Sequence, residues 1–424
     1  MDIFSDLTWR GLIHQSTAPD HLPAWLASGS RTVYCGFDPS SDSLHVGSLL
    51  PALILRRFQK AGHRPIALVG GATGMIGDPS GKSEERNLLS VEQLRANVEG
   101  IGQQLQQFMD FSGPSGALLL NNLDWMGKFS FLDFLRDVGK HFPVNVMLAK
   151  DSVSSRIERE SGISYTEFSY MLLQAYDFVH LNRAQGCELQ IGGSDQWGNI
   201  TAGIDLARRM HGTQLYGLTC PLLLKSDGTK MGKTEKGAVY LSAARTSPYA
   251  FYQYWINLAD ADCGNALRFL TELSREEIEV LDQSRITEAH LKLSQKRLTE
   301  ELTRLVHGTT GLATAQKATN VLFGAEIENL NDSQLTDIFA DVPSKTLPRD
   351  RLSGDGLLLV DALLEAGLAK SKSEARRTIE QGGAYINNRV RTDVNTKLTA
   401  ADLASETVMV VRSGKKKYGL LRFE

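Results

Sequence analysis

The sequence predicts an α/β protein: a parallel sheet wrapped by helices, then an α-helical domain, then a small α+β module. Three observations predict it. Strand-like and helical runs alternate up to about residue 225, as they do where helices cover a parallel sheet. The strand-like runs end in glycine turns, and such sheets bind ligands beyond the carboxyl ends of their strands. From about Ser247 to Ala340 the pattern is helical, and a compact C-terminal segment of two short helices and then strands follows.

In chain order, "TVYCGF" from Thr32 has the β-branched and aromatic content of a buried strand. From Leu44 the apolar residues Leu44, Leu49, Ala52, Leu53 and Leu55 recur roughly at helical spacing. Between them lies a helix N-terminus carrying His45 and Gly47. Such an end exposes unpaired N–H groups and suits an anion, although an ordinary turn with a satisfied histidine reads the same. "RPIALVGGATG" is a strand entering a glycine turn, and "GALLLNNLDW" is a strand-like run before the amphipathic "SFLDFLRDVGKHF". "CELQIGGSDQWGNITAGIDLARRM" is strand, glycine turn, then helix. "LLLKSDGTKMGKTEKGAVYL" reads as a mobile loop. "SPYAFYQYWINL" and "LTEELTRLVHGTTGLATAQKATNVLF" are helical, and "DVPSKTLPRDRLSGDG" reads as a linker.

At 424 residues the chain is expected to hold two or three domains. The 42% hydrophobic and 22% charged shares are those of a globular protein. No apolar run reaches transmembrane length, and "MDIFSDLTWRGL" lacks a signal-peptide layout, so no membrane association is expected. Cys35, Cys187, Cys220 and Cys263 lie far apart, which argues against a disulfide framework or a structural zinc and for a reducing cytoplasm. From Lys370 to Glu424 twelve basic residues face six acidic ones, about +6, which against a whole-chain −3 leaves about −9 elsewhere. A basic end on an acidic body suits a polyanion, with a solvated charged surface as the plainer reading.

Two stretches approach the phosphate-binding pattern G-x-x-x-x-G-K-[ST]. "GDPSGKS" from Gly77 and "GTKMGKT" from Gly228 each have three residues between the glycines where four are needed, so neither qualifies. Both still join flexible backbone to a lysine and a hydroxyl, which fits phosphate held transiently or a solvated turn. In "SYTEFSYMLLQAYDFVHL" the residues Phe168, Met171, Leu172, Ala175, Phe178 and Val179 form an apolar stripe. Tyr170, Gln174 and Asp177 share another line along the helix, at i, i+4 and i+7. That line is a solvated face or the floor of a small polar pocket for an ammonium and a hydroxyl. In "IGGSDQWGNI", Ser194 or Asp195 could cap a helix. Alternatively the glycines admit a nucleotide and the carboxylate accepts from a ribose. No G-x-G-x-x-G follows a strand, which leaves a nicotinamide enzyme a weak alternative.

Together these pieces resemble one family. "LHVGS" after "YCGFDP" resembles the HIGH signature of class I aminoacyl-tRNA synthetases, and "KMGKT" at residues 230–234 resembles their KMSKS signature. Within that class, "YCGFDPSSDSLHVG", "GGATGMIGDPSGKSEER", "YTEFSYMLLQAYDF" and "QIGGSDQWGNI" are similar to the bacterial tyrosyl-tRNA synthetase family, essentially end to end. The resemblance implies a Rossmann-like catalytic domain over 1–225, a mobile KMSKS-type loop over 226–246, a helical anticodon-side domain over 247–345 and a ribosomal-protein-like RNA-binding module over 352–424. It implies ATP-dependent activation of tyrosine, with release of pyrophosphate, and transfer to the 3′-terminal adenosine of tRNA. It also implies Mg2+ arriving with ATP, no dedicated metal site, a cytoplasmic homodimer, and no DNA or membrane partner.

Residue by residue, the resemblance implies that Tyr34 and Asp177 bond the substrate phenol. Asp78, Tyr170 and Gln174 would hold its ammonium, with Asp38 nearby and Gln196 near the carboxylate. Asp195, Gly192 and Gly193 would take the ribose, Gly47 the adenine, and Ser40 and His45 the ATP phosphates. Lys82, Arg86, Lys230, Lys233 and Thr234 would embrace the pyrophosphate from loops. Lys372, Arg376, Arg377, Lys415, Lys416 and Lys417 would meet RNA. The family usually has a second histidine where this chain has Ser48. Rival readings are a tryptophanyl enzyme, which would not be expected to combine Tyr34 with Asp177, a non-catalytic RNA-binding protein, and a nucleotide-dependent ligase unrelated to tRNA.

Overall fold

The computed structural model describes residues 2–80, 89–158, 162–235, 237–340, 342–415 and 417–424. Lys82, Arg86 and Lys416 therefore lie outside the described residues. The chain forms two compact units, the first of residues 1–246 and 258–298, the second of 247–257 and 299–424. The helical stretch read as 247–345 is thus shared between them.

The first unit is built on a sheet of β1 (Gln15–Ser16), β2 (Thr32–Phe37), β3 (Arg64–Val69), β4 (Leu118–Asn121), β5 (Cys187–Gly193) and β6 (Tyr216–Cys220), in the order β1-β6-β5-β2-β3-β4. β2 to β6 run parallel, and the short edge strand β1 is antiparallel to β6. Helices on both faces explain the near-continuous burial of β3, where all but Arg64 are buried. Strand order reverses between β2 and β5, so the connections leave in opposite directions and open a crevice at their carboxyl ends. Four helices frame it: α1 (Val46–Lys60), α2 (Val91–Leu105), α3 (Tyr165–Gln185) and α4 (Trp197–His211). α3 starts where the Ser164 side chain accepts from the Glu167 N–H and stops at Gly186, whose φ of 64° few other residues adopt. Its apolar stripe packs Met171, Ala175 and Phe178 into one core with Tyr34, Ile66 and Leu68.

In the second unit the predicted long helix is α5 (Leu293–Leu322), which begins in the first unit. It is interrupted at Gly308, with φ 72° and ψ 179°. The sequence pattern continues across the break because a glycine disturbs no periodicity. After α6 (Asp332–Ile338) come α7 (Leu359–Glu365), α8 (Lys372–Glu380) and a five-stranded sheet. The expected linker supplies one of its strands: Ser344–Leu347 runs parallel to Lys417–Phe423 at the sheet edge. Three of its four residues are exposed, so no apolar alternation announces it. The central strand Val408–Ser413 is covered on both faces. Met409 and Val411 face Leu363 and Ile379, while Val408 and Val410 join Val321, Leu335 and Phe339.

The hairpin turn Asn387–Asn388 ties this sheet to α5. Both residues have positive φ, 50° and 65°, as a tight two-residue turn requires. Asn388 Nδ2 donates to the carbonyls of Val321, in the last turn of the helix, and Ala325, just beyond it, at 2.8 and 2.7 Å. Asn388→Ala removes both bonds inside a buried site, at a cost of about 1–3 kcal/mol. Hydrogen exchange is expected to speed up at residues 384–391 and at the end of α5, with the first unit unchanged.

Candidate active site

A cavity of about 370 Å³ lies at the carboxyl ends of β2 and β5. The polar line of α3 faces it: Tyr170 and Asp177 are buried and line it, together with Gln174. Across the parallel pairing of β2 and β5, Tyr34 stands in register with Gln190, and both line the cavity. Tyr34 Oη, Gln174 Oε1 and Gln190 Oε1 are buried polar atoms without a hydrogen-bond partner among the described residues. Buried polar atoms are seldom left so, which marks this end of the cavity as built for a polar ligand.

Asp177 is 2% exposed. Asn122 Nδ2 donates to its Oδ2 at 3.0 Å and Trp125 Nε1 to its Oδ1 at 2.8 Å. Burial raises its carboxyl, the two donors offset part of the rise and Asp38 adds to it, which leaves the group at about 7. Asp38 accepts from Tyr170 Oη and from Thr73 Oγ1, each at 2.8 Å. Asn122 Nδ2 also donates to Thr73 Oγ1 at 3.1 Å, so Asn122 joins the two carboxylates through one amide group. Asp78 accepts from Gln196 Nε2 at 2.6 Å and from the Ser80 N–H at 2.9 Å. Asn199 Nδ2 donates to Gln196 Oε1 at 3.1 Å, and Gln174 Nε2 to the same oxygen at 3.2 Å. Three carboxylates and several amide oxygens thus converge, a set that suits an ammonium and a hydroxyl.

Donor residues of the lining form a second group: His45 with the cationic Lys230 and Lys233. His45 is the N-cap of α1, and its Nδ1 accepts from the Gly47 N–H at 2.9 Å. That bond assigns the proton of the neutral ring to Nε2. A Cβ at position 47 would stand 2.8 Å from the imidazole, so a larger residue there would displace the ring. The KMGKT loop closes against the same helix start. Val46 N–H donates to the Val239 carbonyl at 3.0 Å, and Val239 N–H to the Gly232 carbonyl at 2.7 Å. Gly232 has φ +85°, and a Cβ there would lie 2.7 Å from Val46 Cβ. Met231 is buried, whereas Lys230 and Lys233 stay exposed at the cavity rim.

Asp195, Gly192, Gly193 and Ser48 also line the cavity. Neither Ser194 nor Asp195 caps the helix that follows. Ser40 and Thr234 are exposed and do not line the cavity; the Thr234 hydroxyl donates instead to the Gly237 carbonyl at 3.0 Å. In the second unit Arg376 and Arg377 are exposed on α8, Lys415 is exposed in the turn after Val408–Ser413, and Lys417 opens the last strand. Lys372 pairs with Asp361 at 2.9 Å. Sequence reasoning missed Thr73, Asn122, Trp125, Gln190 and Asn199. Gln190 alone carried a local signal, a polar residue inside the apolar strand "CELQIGG".

The family model described as "tRNA synthetases class I (W and Y)" matches residues 27–324, and that of a "Tyrosine--tRNA ligase SYY-like C-terminal domain" matches residues 334–421. The tyrosine–tRNA ligase of Rhodopirellula baltica is 57% identical over 422 residues, covering 100% of this chain and 96% of its own length. That of Roseiflexus castenholzii is 56% identical over 421 residues, covering 99% of each. Among solved structures, a C-terminally truncated mitochondrial tyrosyl-tRNA synthetase of Aspergillus nidulans superposes with TM-score 0.69 at 28% identity, over 76% of this chain and 94% of that one.

The raised Asp177 carboxyl has a thermodynamic consequence. Between the ordinary carboxylate range and about pH 7 the folded chain holds a proton that the unfolded chain releases. This group therefore lowers stability as pH rises through that window, by at most about 1.4 kcal/mol per unit. The thermal midpoint of Asp177→Asn, taken relative to the unsubstituted protein, is expected to climb from pH 5 to pH 8. A pH-independent difference would assign Asp177 an ordinary titration.

Proposed function

This chain belongs to the class I aminoacyl-tRNA synthetases, as a tyrosine–tRNA ligase, and we propose a division of labour among its residues. It activates L-tyrosine with ATP and transfers the tyrosyl group to the 3′-terminal adenosine of tRNA. One observation carries the assignment: a single cavity at the sheet's switch point holds an acceptor-rich group and, beside it, a cationic group. The first suits the amino acid, the second the triphosphate.

In this reading Asp177 accepts a hydrogen bond from the phenol O–H and the unpartnered Tyr34 Oη donates to the phenol oxygen. Phenylalanine would leave Tyr34 Oη unpaired and offer Asp177 no donor, the kind of loss that makes such sites selective without editing. Asp78, Tyr170 and Gln174 take the ammonium with Asp38 behind Tyr170, and Gln196 orients the carboxylate. Asp195, Gly192 and Gly193 receive the ribose, and Gly47 the adenine.

A carboxylate oxygen of tyrosine attacks the α-phosphorus, the bond to the β-phosphate oxygen breaks, and pyrophosphate leaves. A ribose hydroxyl of tRNA then attacks the adenylate carbonyl, releasing AMP. Neither step needs a protein nucleophile, so catalysis is positioning and charge stabilisation. His45 donates Nε2–H to phosphate oxygens. Lys230 and Lys233, with Lys82 and Arg86, neutralise the departing pyrophosphate, and Mg2+ travels with ATP. The hydroxyls of Ser40 and Thr234 reach the phosphates only if their segments shift toward the cavity.

The basic face of α8 and the turn at Lys415–Lys417 bind the sugar-phosphate backbone of tRNA. Four buried free cysteines suit a reducing cytoplasm. A homodimer is supported by exposed apolar side chains concentrated between β4 and α3, among them Phe131 at 64% and Leu132 at 75%, with Val144, Ile157 and Tyr165.

ATP–pyrophosphate exchange without tRNA, run across the twenty amino acids, is expected with tyrosine alone. Exchange with tryptophan instead would overturn the roles of Tyr34 and Asp177. Light scattering is expected to give the mass of two chains at micromolar concentration and of one chain after Phe131→Asp with Leu132→Asp. A single-chain mass for the unsubstituted protein would refute the dimer.

A further inference from the structure

The residues leading into His45 are gripped from outside the cavity. α2 lies against segment 39–44 with one face. Asn97 Nδ2 donates to the Pro39 carbonyl at 3.0 Å. Gly100 comes so close that a Cβ would stand 2.3 Å from the Asp42 carbonyl oxygen. Gln104 then uses both ends of its amide: Oε1 accepts from the Leu44 N–H at 2.7 Å, and Nε2 donates to Ser43 Oγ at 3.0 Å. Positions 97, 100 and 104 fall at i, i+3 and i+7, along one helix face.

Ser43 is 3% exposed, and its hydroxyl is a junction. It donates to the Leu44 carbonyl at 2.9 Å and accepts from the Ser242 N–H at 3.1 Å as well as from Gln104. The Leu44 carbonyl also accepts from the Leu241 N–H at 2.8 Å, and the Val46 N–H donates to Val239 at 3.0 Å. Both neighbours of His45 are therefore bonded to the chain returning from the KMGKT loop. Gln104 fixes the first of them while lying outside the cavity lining.

We propose that Gln104 is a positioning residue for adenylate formation: through Leu44 and Ser43 it sets the His45 imidazole in register with the returning strand of the KMGKT loop. The inference rests on the reading of His45 as a phosphate donor. The side chain must accept from an N–H and donate to a hydroxyl at once. An amide does both, a carboxylate cannot donate, and an alkyl chain does neither. Contacts that hold a donor where charge develops act on the transition state more than on bound substrate, so the effect belongs in kcat.

The test is ATP–pyrophosphate exchange with tyrosine for the unsubstituted protein, Gln104→Ala, His45→Ala and the double variant, with tyrosine affinity by equilibrium dialysis. Gln104→Ala is expected to lower kcat about 10- to 100-fold, the scale of an ångström-sized misplacement. Tyrosine affinity should stay unchanged, while the thermal midpoint falls modestly because the buried Leu44 N–H loses its acceptor. In the His45→Ala background the further loss should vanish, because a group acting through His45 has nothing left to position. Ser43→Ala, which keeps the Leu44 bond to Gln104, should show the same signature more weakly and serves if Gln104→Ala folds poorly. Undiminished kcat in both variants, or a loss that persists after His45→Ala, would overturn the proposal. Exchange that survives His45→Ala intact would instead remove the phosphate-donor reading beneath it.

Discussion

Asp177 is buried among neutral donors rather than beside a cation, and much of the first unit is arranged around that cost. A bare carboxylate in such a place would simply stay protonated. Asn122 and Trp125 stabilise its charged form from the segment after β4, and burial still holds the group near neutrality. Asn122 passes the constraint on through Thr73 to Asp38, and so to Tyr170. The pocket is thereby preorganised: its acceptors are fixed before ligand arrives, and the unpartnered Tyr34 oxygen is satisfied only by a ligand of the right length and polarity.

The side proposed for phosphate follows a different rule. Its cations stand at the rim, exposed, on a loop joined to α1 by a few backbone bonds and one glycine contact. Rigid, buried cations would bind ATP and pyrophosphate equally well and slow release. Exposed lysines on a glycine-hinged loop can tighten in the transition state and let go afterwards. In the proposed reading the two halves of the cavity divide recognition from turnover, the first built on burial and the second on exposure.

The second unit repeats the logic of double coverage at smaller scale. The strand Val408–Ser413 needs apolar cover on both faces, and α7 and α8 supply only one. The other comes from the end of α5 and from α6, with Asn388 closing the helix end. The module's sheet and the helices before it are consequently one folded body, and its basic face rides on that body.

The sequence by itself determined the alternation of strand and helix, because period and glycine turns are local properties. It also placed Tyr170, Gln174 and Asp177 on one line, and His45 at a helix start, for the same reason. Whether that line met water or a cavity was a tertiary matter, decided by which helix face the sheet covered. Asn122, Trp125 and Thr73 serve Asp177 and Asp38 from 35 to 55 residues away, and Gln104 meets Leu44 across 60. Such pairs leave no period to detect. The edge strand Ser344–Leu347 was hidden likewise, since only its partner β-strand, some seventy-six residues on, makes it one. Local backbone preference is written in adjacent residues, whereas the satisfaction of buried polar groups is settled only when distant elements close around them.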